Sequence, residues 1–251
     1  MRKFLTAMMA AALAGLSTAA LATGYSGTVG ITTDYVFRGI SQSKGEPAIQ
    51  GSVDFKHDNG FYFGIWGSNV DFNDGDEAQA EFDIYTGFGG KFANPSWSWD
   101  LNLLYYAYPG ADSSLDYDFV ELTPMLAYDF GVATLNGKLH YSPDFFGTGF
   151  DDGFYYELNL GIPLQNNFAL GFHVGQQHLD ETSIGAATVG LEDSYTDYGV
   201  SLSLAAAGLN LTLGYTDTDL SVDECEIFAA IPRGEEKVCD GRILFTVGRS
   251  L

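Results

Sequence analysis

The chain has 251 residues, and its 33 acidic residues against 11 basic ones give a formal net charge of -22. Its basic residues are scattered, so nucleic acid and anionic lipid headgroups are poor partners. Beyond the N-terminus no segment approaches ~18 continuous apolar residues, which excludes a helical membrane protein.

Residues 1–22 have the order of a secretory signal peptide. Arg2 and Lys3 precede an apolar stretch, and small residues Ala20 and Ala22 flank Leu21. A transmembrane anchor is the alternative, but the stretch is shorter than the ~20 residues that a spanning helix needs. We expect cleavage after Ala22, which leaves residues 23–251 as the mature domain.

From Ser26 onward the chain repeats one unit: a run of about ten residues with apolar side chains at every second position, then a turn rich in Gly, Asp, Asn or Pro. A period of two predicts strands. In the first run Val29, Ile31, Tyr35 and Phe37 share one face. Similar runs continue to Leu251, and they predict an all-β, antiparallel up-and-down barrel of about twelve strands that crosses a membrane.

Short and long connections alternate along these runs. Tight turns are predicted at 57–60, 92–96, 129–131, 163–167 and 205–208, between longer polar loops near 39–46, 73–77, 108–116, 143–153, 178–194 and 217–240. In outer-membrane barrels the short turns are periplasmic and the long loops face outside.

The chain has two cysteines, Cys225 and Cys239, both in the last polar loop. In an oxidising periplasm this spacing favours a disulfide that closes the loop; a pair of free thiols is the alternative. No cofactor is expected. No metal is assigned either, because the acidic loops lack the residue order of a calcium-binding EF-hand.

Alternation alone does not tell a membrane barrel from a soluble sandwich or lipocalin. A closed barrel of about twelve strands is too wide for side chains to fill, so an apolar interior would leave a dry cavity. We therefore expect the apolar face to contact lipid, with aromatic girdles at its ends that include Tyr35 and Phe37.

Three segments resemble one protein family. They are TDYVFRGISQS at residues 33–43, PAIQGSVDF at residues 47–55, and the C-terminal CDGRILFTVGRSL. Together they resemble the TorF family of porin-like proteins, earlier catalogued as Gcw_chp, over nearly the whole mature chain. The resemblance implies an outer-membrane barrel in a Gram-negative bacterium, with a transport role and the barrel-assembly machinery as a partner in biogenesis. This chain ends in Leu251, where such barrels often end in an aromatic residue.

The polar face of the strands supplies the predicted pore-lining residues, in which acidic groups outnumber basic ones two to one. The acidic ones are Asp34, Asp54, Glu81, Asp83, Asp100, Glu121, Glu157 and Asp197, and the basic ones are Arg38, Lys56, Lys138 and Arg242. They predict a porin-like channel for small solutes that favours cations or neutral solutes. In the alternative, these charges pair across strands in a narrow or plugged barrel.

Two finer hypotheses concern particular side chains. Asp34 and Arg38 are expected to form an ion pair on the first strand, with solute binding as the sharper possibility. Tyrosines and Trp66 on the polar face could stack with sugars or aromatic solutes. The inward aromatics are Tyr62, Trp66, Tyr85, Tyr106 and Tyr155.

Two other function classes stay open. A barrel-embedded hydrolase is suggested by the closeness of His140, Ser142 and Asp144, although residues two apart on a strand do not form a nucleophile–base pair without partners from other strands. A structural or adhesive barrel that displays acidic loops is the third class.

Overall fold

The computed structural model describes residues 23–72, 78–146, 152–179, 194–221, 224–225 and 236–251. Twelve strands form one closed antiparallel barrel, which confirms the predicted fold class and strand number. The predicted signal peptide, residues 1–22, lies outside the described residues, as do 73–77 and much of the two longest loops. No helix in the described ranges is long and apolar enough to cross a membrane.

The barrel strands follow one another around the wall in chain order. They are β1 (Gly24–Thr32), β4 (Ala48–Lys56), β5 (Phe61–Asn69), β6 (Ala80–Lys91), β7 (Trp97–Ala107), β8 (Phe119–Asp129), β9 (Thr134–Ser142), β10 (Gly153–Pro163), β11 (Phe168–Leu179), β12 (Ser194–Ala206), β13 (Leu209–Thr218) and β14 (Arg242–Ser250). Two very short strands, β2 (Val36–Phe37) and β3 (Ile40–Ser41), form a separate hairpin between β1 and β4. Pairing of β1 with β14 closes the barrel, with Ile31 opposite Val247.

Tight turns join the strands at one rim, here called the turn rim, and long loops join them at the other, the loop rim. Ala207 and Gly208 both have positive φ, at 52° and 77°, and connect β12 to β13 as a two-residue turn. Turns of this kind match the natural twist of paired strands. The alternation of short and long connections follows the sequence prediction.

Apolar side chains cover the outside of the wall. Val53, Leu158 and Ile243 are 67%, 53% and 72% exposed, whereas the polar residues between them face inward. Aromatic pairs lie at both ends of this belt, such as Trp97 with Tyr128 at 4.7 Å near the turn rim. An apolar exterior with aromatic ends is the surface that a barrel presents to lipid.

The first loop, residues 33–47, folds into the barrel instead of extending from it. Tyr35 is 3% exposed and packs edge-on against Trp66, while Phe37 packs against Tyr106. The prediction that Tyr35 and Phe37 lie in the outer aromatic girdle is therefore wrong. Since β1 ends at Thr32, the side chains after it no longer follow the inward–outward alternation of the strand.

Arg38 and Gly39 turn the inserted hairpin at the tip of the first loop. Their φ values are 47° and 82°, again a two-residue turn with positive φ at both positions. At Gly39 a Cβ would lie 2.3 Å from Thr218 Cγ2. The position therefore needs glycine for space as well as for conformation.

An aromatic cluster joins the first loop in filling the loop-rim half of the barrel. Tyr117 stacks on Phe146 with ring centroids 4.5 Å apart, and Phe72 contacts both rings. Beside it lies the predicted disulfide, Cys225–Cys239, which the structure confirms; both cysteines are buried. The polar turn-rim half of the lumen is more open, with half-buried side chains.

Candidate solute pathway in the barrel lumen

Most predicted pore-lining residues lie on barrel strands with inward side chains, but Asp34 and Arg38 lie in the first loop. The expected ion pair between them is not formed. Asp34 accepts hydrogen bonds from Ser41 at 2.6 Å and from Arg242 at 2.5 Å. Arg38 instead pairs with Glu121 on β8. These two ion pairs fix the first loop to opposite parts of the wall.

Arg38 has both polar and aromatic partners in the lumen. Its guanidinium donates to Glu121 and, at 2.7 Å, to Gln177, and it lies 4.3 Å from the centroid of the Tyr155 ring and 4.5 Å from that of Phe37. Burial lowers the pKa of Arg38, but the attraction of the groups around it, Glu121 first among them, together outweighs burial and raises that pKa above its usual value. Arg38 thus stays charged while only 6% exposed.

Five consecutive strands, β8 to β12, each contribute one member of a carboxylate–histidine ladder. Successive nitrogen–oxygen distances are 3.4, 3.4, 3.5 and 2.8 Å along Glu121, His140, Glu157, His173 and Asp197. From the sequence, the three acidic members were predicted to line the lumen, but the two histidines were not recognised as their partners. The alternation of inward and outward residues could have indicated this, because His140 is two residues from Lys138 on β9 and shares its inward face.

Inward tyrosines lie over glycines of the neighbouring strand and reach carboxylates. Tyr85 covers Gly64, where a Cβ would come within 2.6 Å of the ring, and donates to Asp54. The same arrangement recurs twice. Tyr62 covers Gly87 and donates to Asp100, and Tyr155 covers Gly175 and donates to Asp197. These hydroxyls are therefore bound to carboxylates of the wall.

The residues of the hydrolase hypothesis are held by different partners. Ser142 is fully buried and donates to the backbone oxygen of Asp144 at 2.8 Å. His140 contacts Thr123, Glu121 and Glu157. Within the described part of the chain, no group of three or more His, Cys, Asp or Glu is arranged to hold a metal.

Comparison with known proteins gives a family and a fold. The family model described as "Bacterial protein of unknown function (Gcw_chp)" matches residues 17–251, whereas no curated protein matches in sequence. Among solved structures, the KdgM porin superposes with a TM-score of 0.57 at 9% identity, covering 90% of this chain and 99% of that one. The NanC porin gives 0.55 at 9% identity, covering 90% and 98%.

A second KdgM structure, in complex with disordered oligogalacturonate, gives a TM-score of 0.55 at 7% identity over 90% of this chain and 96% of that one. At such identities the likeness concerns the fold. The chain belongs to the Gcw_chp family, and it has the closed β-barrel fold of outer-membrane porins.

Proposed function

We propose that this protein is a porin-like channel in the outer membrane of a Gram-negative bacterium, through which small solutes diffuse passively, and that it is not an enzyme. The observation that carries the proposal is the combination of an apolar exterior with a charged, hydrogen-bonded interior in a closed barrel. The shared fold with the KdgM and NanC porins supports it, as does the resemblance to the TorF family.

The lumen charges favour cations or neutral solutes over anions. Three inward carboxylates are matched by Arg or Lys: Glu121 by Arg38, Glu157 by Lys138 and Asp34 by Arg242. The acidic residues outnumber the basic ones even after this pairing, so the potential along the path is negative.

A second function is favoured by the filled loop rim. The buried first loop and the aromatic cluster narrow the barrel at that end, as a structural or adhesive barrel without transport would allow. In the channel that we propose, the first loop forms the constriction, and solutes pass between it and the wall.

Conductance separates these two functions. Residues 23–251, refolded in detergent and inserted in a planar bilayer, should give discrete current steps, and a KCl gradient should give a reversal potential of the sign expected for cation preference. A preference for chloride would contradict the proposed selectivity. A folded, inserted barrel that passes no current would instead indicate the structural or adhesive function.

Export and membrane assembly belong to the same proposal. We expect the mature protein in the outer-membrane fraction to begin at Thr23 after signal cleavage, with lipid around the barrel and the barrel-assembly machinery as its partner during insertion. N-terminal sequencing of the outer-membrane protein tests the cleavage site. A mature protein that keeps residues 1–22 would contradict it.

A further inference from the structure

Seven lumen carboxylates are on barrel strands, and they fall into two groups on adjacent arcs of the wall. On β8, β10 and β12 each one meets a basic or imidazole partner: Glu121 meets Arg38, Glu157 meets Lys138, and Asp197 meets His173. On β4, β6 and β7 stand four more, which we call the acidic track: Asp54, Glu81, Asp83 and Asp100. Among the described residues, none of these four takes part in an ion pair within 4.0 Å.

The partners that the acidic track does have are neutral hydroxyl groups and, between Glu81 and Asp83, the neighbouring carboxyl group. Tyr35 donates to Glu81 at 2.9 Å, and Tyr62 donates to Asp100 at 2.6 Å. Three buried side-chain atoms in the described part of the chain have no hydrogen-bond partner, and all three are oxygens of the track: Glu81 Oε2, Asp83 Oδ1 and Asp100 Oδ2.

Leaving such atoms without a partner is costly. A buried polar atom that makes no hydrogen bond costs about 1–3 kcal/mol, and an uncompensated buried charge costs more. Glu81 and Asp83 are only 1% and 3% exposed, and they lie two residues apart on the same face of β6. Positive charge from outside the chain would satisfy both.

The track runs along the wall from the loop rim towards the turn rim. Glu81 stands opposite Ser68 near the loop rim, and Asp83 follows it on β6. Asp54 shares a rung with Gly64 and Tyr85, and Asp100 stands opposite Gly89. At ~3.3 Å per residue, the eight residues from Glu81 to Gly89 cover about 26 Å along the strand.

The exposure of the track carboxylates increases from the loop rim towards the turn rim. Asp100 and Asp54 are half-buried and border the more open turn-rim half of the lumen, whereas Asp83 and Glu81 are buried beneath the first loop. Tyr35, which bonds to Glu81, belongs to that loop. An ion that enters from the turn rim therefore meets the half-buried carboxylates first and the buried pair last.

We propose that the acidic track binds cations along their path through the lumen, and that Glu81 and Asp83 form its innermost site. This inference rests on the proposed channel function and adds the residues that recognise the solute. The donors are carboxylate and phenol oxygens, which suit hard cations such as K⁺, Mg²⁺ and Ca²⁺. The arc from β8 to β12, where the carboxylates are already compensated, contributes little to binding.

Isosteric substitutions test the track with two readouts. Asp83→Asn replaces a buried carboxyl group by an amide, and Asp100→Asn replaces a half-buried one near the turn rim, where the fold tolerates the change more easily. The control is Asp112→Asn in an exposed loop, where hydrogen bonds from the Ser114 hydroxyl and amide lower the pKa of Asp112, so that it is ionised at neutral pH. All three replace one carboxyl group by an amide of nearly the same shape.

The first readout is the K⁺ over Cl⁻ permeability ratio in planar bilayers, and the second is Ca²⁺ affinity of the folded protein in detergent by isothermal titration. We expect both track variants to lower the permeability ratio at least about twofold, and the Ca²⁺ affinity about tenfold, because each removes one carboxylate from the path. The control should match the unsubstituted protein in both.

The outcomes separate the inference from the proposed function. If the protein passes no current but binds Ca²⁺, and Asp83→Asn or Asp100→Asn weakens that binding, the channel proposal fails and the cation site stands. If the unsubstituted protein binds no Ca²⁺, or if both folded track variants match the control in affinity and selectivity, the inference is overturned.

Discussion

Arg38→Met should release the first loop from the barrel. Methionine keeps an unbranched apolar stem and removes the guanidinium, so Glu121, which is 1% exposed, loses its counter-charge. Breaking a buried ion pair in this way costs about 3–5 kcal/mol. The contacts over Tyr155 and Phe37, at 4.3 and 4.5 Å, are each worth about 0.5–2 kcal/mol.

These contributions share one side chain and do not add fully, so we take about 4 kcal/mol as the loss. If this loss destabilises only the state in which the first loop is inserted, the equilibrium between the inserted and the detached loop shifts towards detachment by about 10³-fold. Limited proteolysis with trypsin measures this shift, because Lys44 lies in the first loop and remains as a cleavage site in the variant. Cleavage at Lys44 should accelerate and bilayer conductance should rise.

Two further variants sharpen this test. Arg38→Met combined with Glu121→Gln removes both charges, so it should recover part of the lost stability. Arg249→Met removes a positive charge on the exposed outer face of β14 and should leave cleavage unchanged. The reasoning is refuted if Arg38→Met is cleaved at the rate of the unsubstituted protein, or if the double variant is at least as labile as the single one.

Three other substitutions test the wall and the loop by urea unfolding. Gly175→Ala puts a Cβ 2.0 Å from the Tyr155 hydroxyl and should lower the free energy of unfolding by about 1–3 kcal/mol. The control Gly161→Ala, where a Cβ has nothing within 4 Å, should change it little, and equal effects of the two variants would contradict the packing. Replacing Cys225 and Cys239 by serine removes a disulfide between residues 14 positions apart and should lower the free energy of unfolding by about 3 kcal/mol. A reducing agent should have the same effect, and unchanged stability would contradict a structural role for the disulfide. Val200→Arg, on the outer face of β12, should cost about 2–4 kcal/mol for a barrel folded in lipid vesicles, and a tolerated arginine would show that this face is not in hydrocarbon.

Within the strands, the sequence contains enough to predict the wall of the barrel. Side chains alternate with a period of two, so Ile84 and Asp83 point to opposite faces whatever the rest of the chain does. The positions of the turns follow from local preferences, as at Ala207 and Gly208. The same alternation predicts that Glu81, Asp83 and Asp100 point inward, because the residues next to them in the sequence belong to the apolar face.

Beyond the strand ends, the alternation of residues no longer predicts where a side chain lies. Tyr35 and Asp34 continue the alternation of β1 in the sequence, but the strand ends at Thr32 and the loop turns inward. What holds it there are contacts between residues far apart in the chain: Arg38 with Glu121, 83 residues away, and Asp34 with Arg242, 208 residues away. No local pattern encodes such pairs.

The sequence by itself determined which residues form the wall, which face of the wall is apolar and which charges line the interior, because these depend on neighbours one and two positions away. Only the tertiary structure decided how the interior is occupied: which loop enters it, and which carboxylates receive a basic partner. Pairing of the successive strands β8 to β12 places their charged side chains beside one another in a ladder, and the inserted first loop brings Arg38 to Glu121. The carboxylates of β4, β6 and β7 have no ion-pair partner among the described residues. The contact between Arg38 and Glu121 joins the first loop to a strand far along the chain, so it exists only in the folded barrel.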